Sequence, residues 1–173
     1  MINNDQRQYM NEVLTEQAQQ IEELTTLAVQ EVFLSMVSLQ VAIEPPVHLP
    51  ATSEGQIIGS VGFIGEATGV IYLYAQVGFA KIITARMLGI TEQDVDSDEM
   101  VNDAMGELSN MVVGYVKSRL CDRGLPCTIT IPSIVRGQQL SIERPNEVIR
   151  RALGFRAGEH HLLAEVLLKN SKE

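Results

Sequence analysis

Apolar residues recur at helical spacing through the first forty positions: Tyr9, Val13, Ala18, Ile21, Leu24, Leu27, Ala28 and Val32. No glycine or proline interrupts residues 5–40, so one long helix is expected there. Phe33, Leu34, Met36, Val37 and Leu39 make its last two turns apolar on nearly every side, which predicts deep burial. The earlier part, rich in Gln and Glu, is expected to be exposed or to pack on a partner. A short strand at 41–43 is closed off by Pro45 and Pro46. Two apolar runs, 57–64 and 68–75, flank Gly65-Glu66-Ala67 and read as a β-hairpin. Residues 77–88 form a helix stopped by Gly89, and 90–97 an acidic linker. Asp96 with Glu99 predicts a capping box for a second long helix, running from Asp98 to near Gly124, with Pro126 just beyond. Strands are expected at 128–135, 139–142, 148–155 and 161–168, the last two joined by a turn at Arg156-Ala157-Gly158-Glu159.

The order is helix, strand, hairpin, helix, then helix, strand, hairpin. Residues near 24–75 therefore echo those near 100–168 as a degenerate duplication. Superimposing the long helices places Gln30-Glu31 on Gly106-Glu107 and Leu34 on Asn110. The fold class is α/β: a mostly antiparallel sheet of about six strands, covered by two long helices and one shorter helix, with an internal pseudo-two-fold repeat. Residues 1–173 read as a single domain, with an N-terminal helical extension at about 1–23.

A hydrophobic fraction of 45% supports a packed core in a chain of 173 residues. No apolar run approaches the roughly 18 residues that span a bilayer, and no signal peptide is seen, so a cytoplasmic location is expected. Thirteen Lys and Arg against 22 Asp and Glu leave a net charge of −9. That balance argues against nucleic acid and anionic membranes as partners. Arg144, Arg150, Arg151 and Arg156 form a basic stretch that reads as a solvated strand face. Cys121 and Cys127 lack the partners of a zinc site and read as small buried hydrophobes.

The chemistry concentrates in residues 98–120, DEMVNDAMGELSNMVVGYVKSRL. Side chains three or four apart on a helix are neighbours. One row reads Glu99, Asp103, Glu107, Asn110, Gly114; the opposite row reads Val101, Ala104, Met105, Leu108, Val112, Tyr115, Val116. One face is built for burial, and the other offers an acid, an amide and a glycine. The pattern E-x-x-N alone is a weak signal. It also occurs at Glu99 with Asn102 and at Glu143 with Asn146, the latter broken by Pro145. What sets Glu107 and Asn110 apart is a glycine at each end, Gly106 and Gly114. Glycine inside a helix costs about 1 kcal/mol relative to alanine. Two of them imply close approach of another backbone, either from a partner or from close helix-to-sheet packing. Ser109 has no His at helical spacing to activate it. His160 and His161 are adjacent on a strand and point to opposite faces, and His48 lies in a loop. Met100, Met105 and Met111 read as core or rim packing. No metal site is apparent.

GELSNM with Gly114, the upstream Asp98-Glu99, and P-S-I-V-x-G at 132–137 resemble the CheC/CheX/FliY phosphatases of bacterial chemotaxis, and CheX most closely. The resemblance is strongest over the central helix and the following strand, weaker over 57–89. It implies that a helix carrying Glu107 and Asn110 enters the active site of a phosphorylated CheY-type response regulator and speeds hydrolysis of its aspartyl phosphate. CheC-type members carry the motif on both long helices, so Leu34 favours the one-site, CheX-like form, whose members are homodimers. The helical segment before about Thr25 departs from the family pattern by its length. An acyl phosphate is already activated, so this chain need supply only positioning and charge. An amide can orient water without repelling phosphoryl oxygens, which suits Asn110. Glu107 would pair with the lysine of the regulator's active site, with Asp103, Gly106 and Gly114 supporting or contacting the partner. Mg²⁺ would be held by the regulator, and no cofactor of its own is expected. The alternatives are a non-catalytic module that binds a response regulator or flagellar-switch component, and a self-associating scaffold zipped through the N-terminal helix.

Overall fold

The computed structural model describes residues 4–49, 52–138, 140–143 and 148–169, with side chains described from residue 12 onward. Helix α1 spans Asn4–Val32 and runs into a π-helical turn at Phe33–Val37. Strand β1 (Ala42–Glu44) follows, then the hairpin of β2 (Gln56–Gly65) and β3 (Gly69–Gln76), and helix α2 (Val77–Leu88). Gly89 ends α2 at φ +68, the left-handed conformation that favours glycine. Helix α3 spans Asp98–Asp122. Beyond it lie β4 (Cys127–Ile129), β5 (Ser133–Gly137), β6 (Val148–Ala157) and β7 (His160–Lys169).

All strands pair antiparallel in one sheet, in the order β1-β6-β7-β3-β2-β4, with β5 also on β2. This order is palindromic. Exchanging β1 with β4/β5, β6 with β2 and β7 with β3 returns the same sheet, as a pseudo-two-fold repeat requires. α1 packs against β6 and β7, α3 against β2, β4 and β5, and the two long helices touch each other.

The strand expected at 128–135 is divided. Phe63 faces Ile129 and Ser60 faces Ser133, so Val61 and Gly62 stand opposite the three residues Thr130, Ile131 and Pro132. One extra residue on one strand is a β-bulge, and Pro132, without an N–H, cannot join the ladder there. The 139–142 strand is a further correction. Residues 140–143 form no strand, and Gln139 lies outside the described residues. Leu140 and Ile142 instead pack with Leu49, Ile58, Tyr74 and Leu163 on the helix-free face of the sheet. The cap of α3 is Ser97, which accepts a hydrogen bond from the Met100 N–H at 3.3 Å, rather than Asp96. The capping box falls earlier, at Thr91 and Asp94.

The end of α1 is less buried than its composition suggests. Phe33 and Val37 are fully buried, but Leu34 is 52% exposed and Met36 is also exposed. The π-helical turn explains this, because it changes the angular step at which side chains leave the axis. Leu14, Ala18 and Ile21, in the segment expected to be exposed or to pack on a partner, are buried within this chain. Cys127 is buried as expected, whereas Cys121 is exposed.

The basic stretch is a solvated face only at Arg156, which is exposed; Arg150 and Arg151 are half-buried, and all three are paired. Arg150 pairs with Glu165, Arg151 with Glu22 at 3.2 Å and Arg156 with Glu44 at 3.7 Å, while Arg144 lies outside the described residues. Adjacent residues on a strand point to opposite faces, so Arg151 reaches α1 while Arg150 lies beneath the sheet with Tyr74. Glu165 is buried there and accepts from the Tyr74 hydroxyl at 2.8 Å. Burial pushes the Tyr74 phenol up to about 12, with the neighbouring Tyr72 adding to the rise and Arg150 opposing it. The neutral phenol is thus favoured in the folded state. Its contribution to stability is complete below the ordinary value of 10.0 and is lost as pH rises toward 12. Denaturant titrations should show stability falling across that window in the wild type, and falling less steeply in Tyr74→Phe.

Candidate functional site

Helix α3 owes its position to three contacts. Its buried face, Val101, Met105, Leu108, Val112, Val116 and Leu120, lies in the main core. Its first turn is tied to the sheet edge by Asp98, whose carboxylate is 2.7 Å from Arg136 on β5. Its middle rests on β2 at Gly59, where an added Cβ would stand 2.1 Å from the Ser109 Oγ. The tight helix-to-sheet approach is therefore at Gly59 and Ser109. It is not at the helix glycines: a Cβ on Gly106 would meet Pro132 at an ordinary 3.8 Å, and one on Gly114 would meet nothing within 4 Å. Gly114 leaves open space beside the polar stripe, and Gly106 is buried against Pro132 and Ile134.

The structure brings Asp103, Glu107, Asn110 and Gly114 together on one outward stripe of α3. Asp103 and Glu107 are exposed; Asn110 and Gly114 are half-buried. Among the described residues, no side-chain hydrogen bond or ion pair engages Glu107 or Asn110. The stripe thus presents an unpaired acceptor with charge and, one turn on, an unpaired amide that both donates and accepts. They ride on an unbroken helix whose other faces are fixed, so their relative geometry is set before any partner arrives. Ser109 is buried and its hydroxyl donates to the Met105 carbonyl at 2.8 Å, which leaves it no role at the surface. Met105 is core, while Met100 and Met111 are half-buried at the rim. Asn102, in the weaker Glu99 match, has its Oδ1 buried without a partner among the described residues.

The histidines lie away from this stripe. His160 stacks on Phe79 with ring centroids 4.7 Å apart, and His161 Nδ1 lies 2.6 Å from Glu44. Among the described residues no group of three or more His, Cys, Asp or Glu side chains is arranged to hold a metal ion. No described helix is long and apolar enough to cross a membrane. On the first long helix, Glu31 and Leu34 are both exposed, but Leu34 stands in the π-helical turn. Their spacing is therefore not that of the regular i, i+3 pair on α3. Two features of the site had escaped the sequence reading: the seating of α3 on Gly59, and the bulge at 130–132 beside the helix.

The family model described as chemotaxis phosphatase CheX matches residues 57–155. The chain is 30% identical over 107 residues to the CheY-P phosphatase CheX of Thermotoga maritima, covering 58% of this chain and 68% of that protein. A CheX crystal structure from Vibrio vulnificus superimposes with a TM-score of 0.74 at 23% identity, over 86% of this chain and 96% of that one. The CheX–CheY–BeF3–Mg²⁺ complex from Borrelia burgdorferi gives a TM-score of 0.72 at 18% identity, over 85% and 96%. Those two likenesses are of fold. The family match includes β3, the whole of α3 with the Glu107–Asn110 stripe, β4, β5 and most of β2 and β6, and spans more than half of the sequence; the chain belongs to the CheX family of chemotaxis phosphatases.

Proposed function

We propose that this chain accelerates hydrolysis of the aspartyl phosphate on a phosphorylated CheY-type response regulator, with α3 inserting Glu107 and Asn110 into the regulator's active site. The observation that carries this reading is the pair itself: an acid and an amide, unpaired and facing outward on one stripe of a helix that the core holds fixed. The Thermotoga relative is named a CheY-P phosphatase, and the Borrelia relative was crystallised with CheY, BeF3 and Mg²⁺.

In this reading a water oxygen attacks phosphorus in line while the bond from phosphorus to the aspartyl oxygen breaks. Inorganic phosphate and a free carboxylate result. The transition state is loose, so catalysis is mainly positioning and charge stabilisation. Asn110 holds the water through its carbonyl oxygen and brings no negative charge near the phosphoryl oxygens. Glu107 would be repelled by the phosphoryl group unless it met a cation, and it pairs with the regulator's active-site lysine, which fixes the depth of insertion. The metal belongs to the regulator, where it offsets phosphate charge.

The test is to mix the protein with a phosphorylated CheY-type regulator and follow phosphate release. Acceleration over the regulator alone is expected. Replacing Glu107 with Ala should raise KM about tenfold, the loss expected for one charge-assisted contact. Tight binding without faster release would select the non-catalytic module instead.

A further inference from the structure

The bulge between β4 and β5 offers a side chain that neither the core nor the proposed chemistry uses. Ile131 is 85% exposed, more than any other large hydrophobic residue among those described. A lone exposed aliphatic residue is ordinary on a protein surface, so its setting decides what it means. Here the setting is rigid. The Thr130 N–H donates to the Gly62 carbonyl at 2.9 Å, the Gly62 N–H donates to the Thr130 Oγ1 at 2.9 Å, and the Thr130 hydroxyl donates to the Ile131 carbonyl at 3.1 Å. On the other side, Pro132 rests against α3 at Gly106.

Its level along α3 follows from two contacts. Asp98 meets Arg136, and Gly106 meets Pro132. Eight helical residues rise about 12 Å while four strand residues span about 13 Å, so helix and edge strand run alongside each other in opposite directions. One more turn, to Asn110, adds about 6 Å, the span of about two strand residues, so the turn from Gly106 to Asn110 runs alongside the bulge from Pro132 to Thr130. A partner that covers Asn110 therefore meets the Thr130–Pro132 edge as well. A second copy pairing by its own strand is a poor fit to this edge, because the bulge breaks the ladder and Pro132 offers no N–H.

We infer that Ile131 is an apolar anchor for the phosphorylated response regulator, held by the bulge beside the Glu107–Asn110 stripe to strengthen docking without touching the reacting atoms. This rests on the function proposed above. It assigns to the regulator a small apolar depression next to its phosphorylation site.

Two measurements separate this inference from the parent reading. In phosphate release, Ile131→Ser should raise KM about tenfold with kcat unchanged, as expected when one aliphatic side chain goes unburied. Ile131→Leu should keep most of the wild-type value. In calorimetry with a regulator loaded with beryllofluoride and Mg²⁺, the Ser variant should bind about tenfold more weakly. Exposure of the residue makes misfolding of either variant unexpected, and circular dichroism checks it. Wild-type acceleration with an unchanged KM for Ile131→Ser overturns the anchor and leaves the phosphatase reading standing. Weaker binding by the Ser variant with no acceleration by the wild type supports the anchor while the phosphatase reading fails. Failure of the wild type to bind the loaded regulator overturns both. If Ile131→Ser instead lowers the sedimenting mass of the protein alone, the residue contacts a second copy and the anchor is overturned.

Discussion

Asn110→Ala is expected to slow phosphate release at saturating regulator by about a hundredfold or more, with KM close to the wild-type value. The split follows from what the side chain is asked to do. A water oriented for in-line attack is a transition-state contribution, and losing such positioning is typically worth on the order of a hundredfold. It adds little to ground-state binding, so kcat should fall while KM does not. The substitution is structurally mild. Asn110 is half-buried, has no side-chain partner among the described residues, and alanine favours helix. Asn110→Asp keeps the size and an acceptor oxygen but places a negative charge against the phosphoryl group, so it should fail to restore the rate. Single-turnover phosphate release across regulator concentrations separates the two constants. A kcat for Asn110→Ala equal to wild type would sink the assignment.

What could be read from the residues depended on whether local pattern or distant contact decides a feature. Helix α2 and its Gly89 stop were readable to the residue because apolar spacing and a left-handed cap are local. The hairpins were readable for the same reason, and with them the pseudo-two-fold repeat of elements, whereas the order of strands in the sheet was not. The Glu107–Asn110 pair was also local, since helical geometry alone makes i and i+3 neighbours. Its outward orientation then followed from the apolar row opposite. By contrast, the ion pairs of Arg150, Arg151 and Arg156 draw partners from Glu165, Glu22 and Glu44, which no spacing rule connects to them. Leu140 and Ile142 alternate as a strand would, yet they lie over the apolar residues of the helix-free sheet face. The bulge has a readable sign in Pro132, since a proline inside an otherwise strand-like run marks an edge or an interruption. The glycines divide in a different way. Gly106 and Gly114 drew attention because glycine is unfavourable in helices, while the glycine that sterics require faces the helix from β2. Nothing in the local sequence around Gly59 announces that Ser109 will sit above it.

That contact makes a second large effect predictable. Gly59→Val should destabilise the fold by about 3 kcal/mol or more, the upper range for forcing bulk into a closed core. A Cβ at residue 59 lies 2.1 Å from the Ser109 Oγ, 3.2 Å from the Ser109 Cβ and 3.2 Å from the Met105 carbonyl oxygen. Gly59→Ala is the graded version. The hydroxyl can rotate away, but it then gives up its hydrogen bond to the Met105 carbonyl, and the two 3.2 Å contacts remain. A cost of about 1–3 kcal/mol is expected. Adding Ser109→Ala removes the nearest clashing atom and should recover part of the loss. A non-additive double mutant would therefore separate steric collision from a general loss of packing. The same lesion should reach catalysis. Asn110 follows Ser109 directly, so lifting α3 to make room displaces the amide, and a misplacement of about 1 Å can cost on the order of a hundredfold in rate. Urea denaturation of Gly59→Ala alone and with Ser109→Ala, beside phosphate release under conditions where both variants are folded, tests the two halves together. If Gly59→Ala loses stability but keeps full activity, the seat of α3 on β2 serves the fold without setting the position of Asn110.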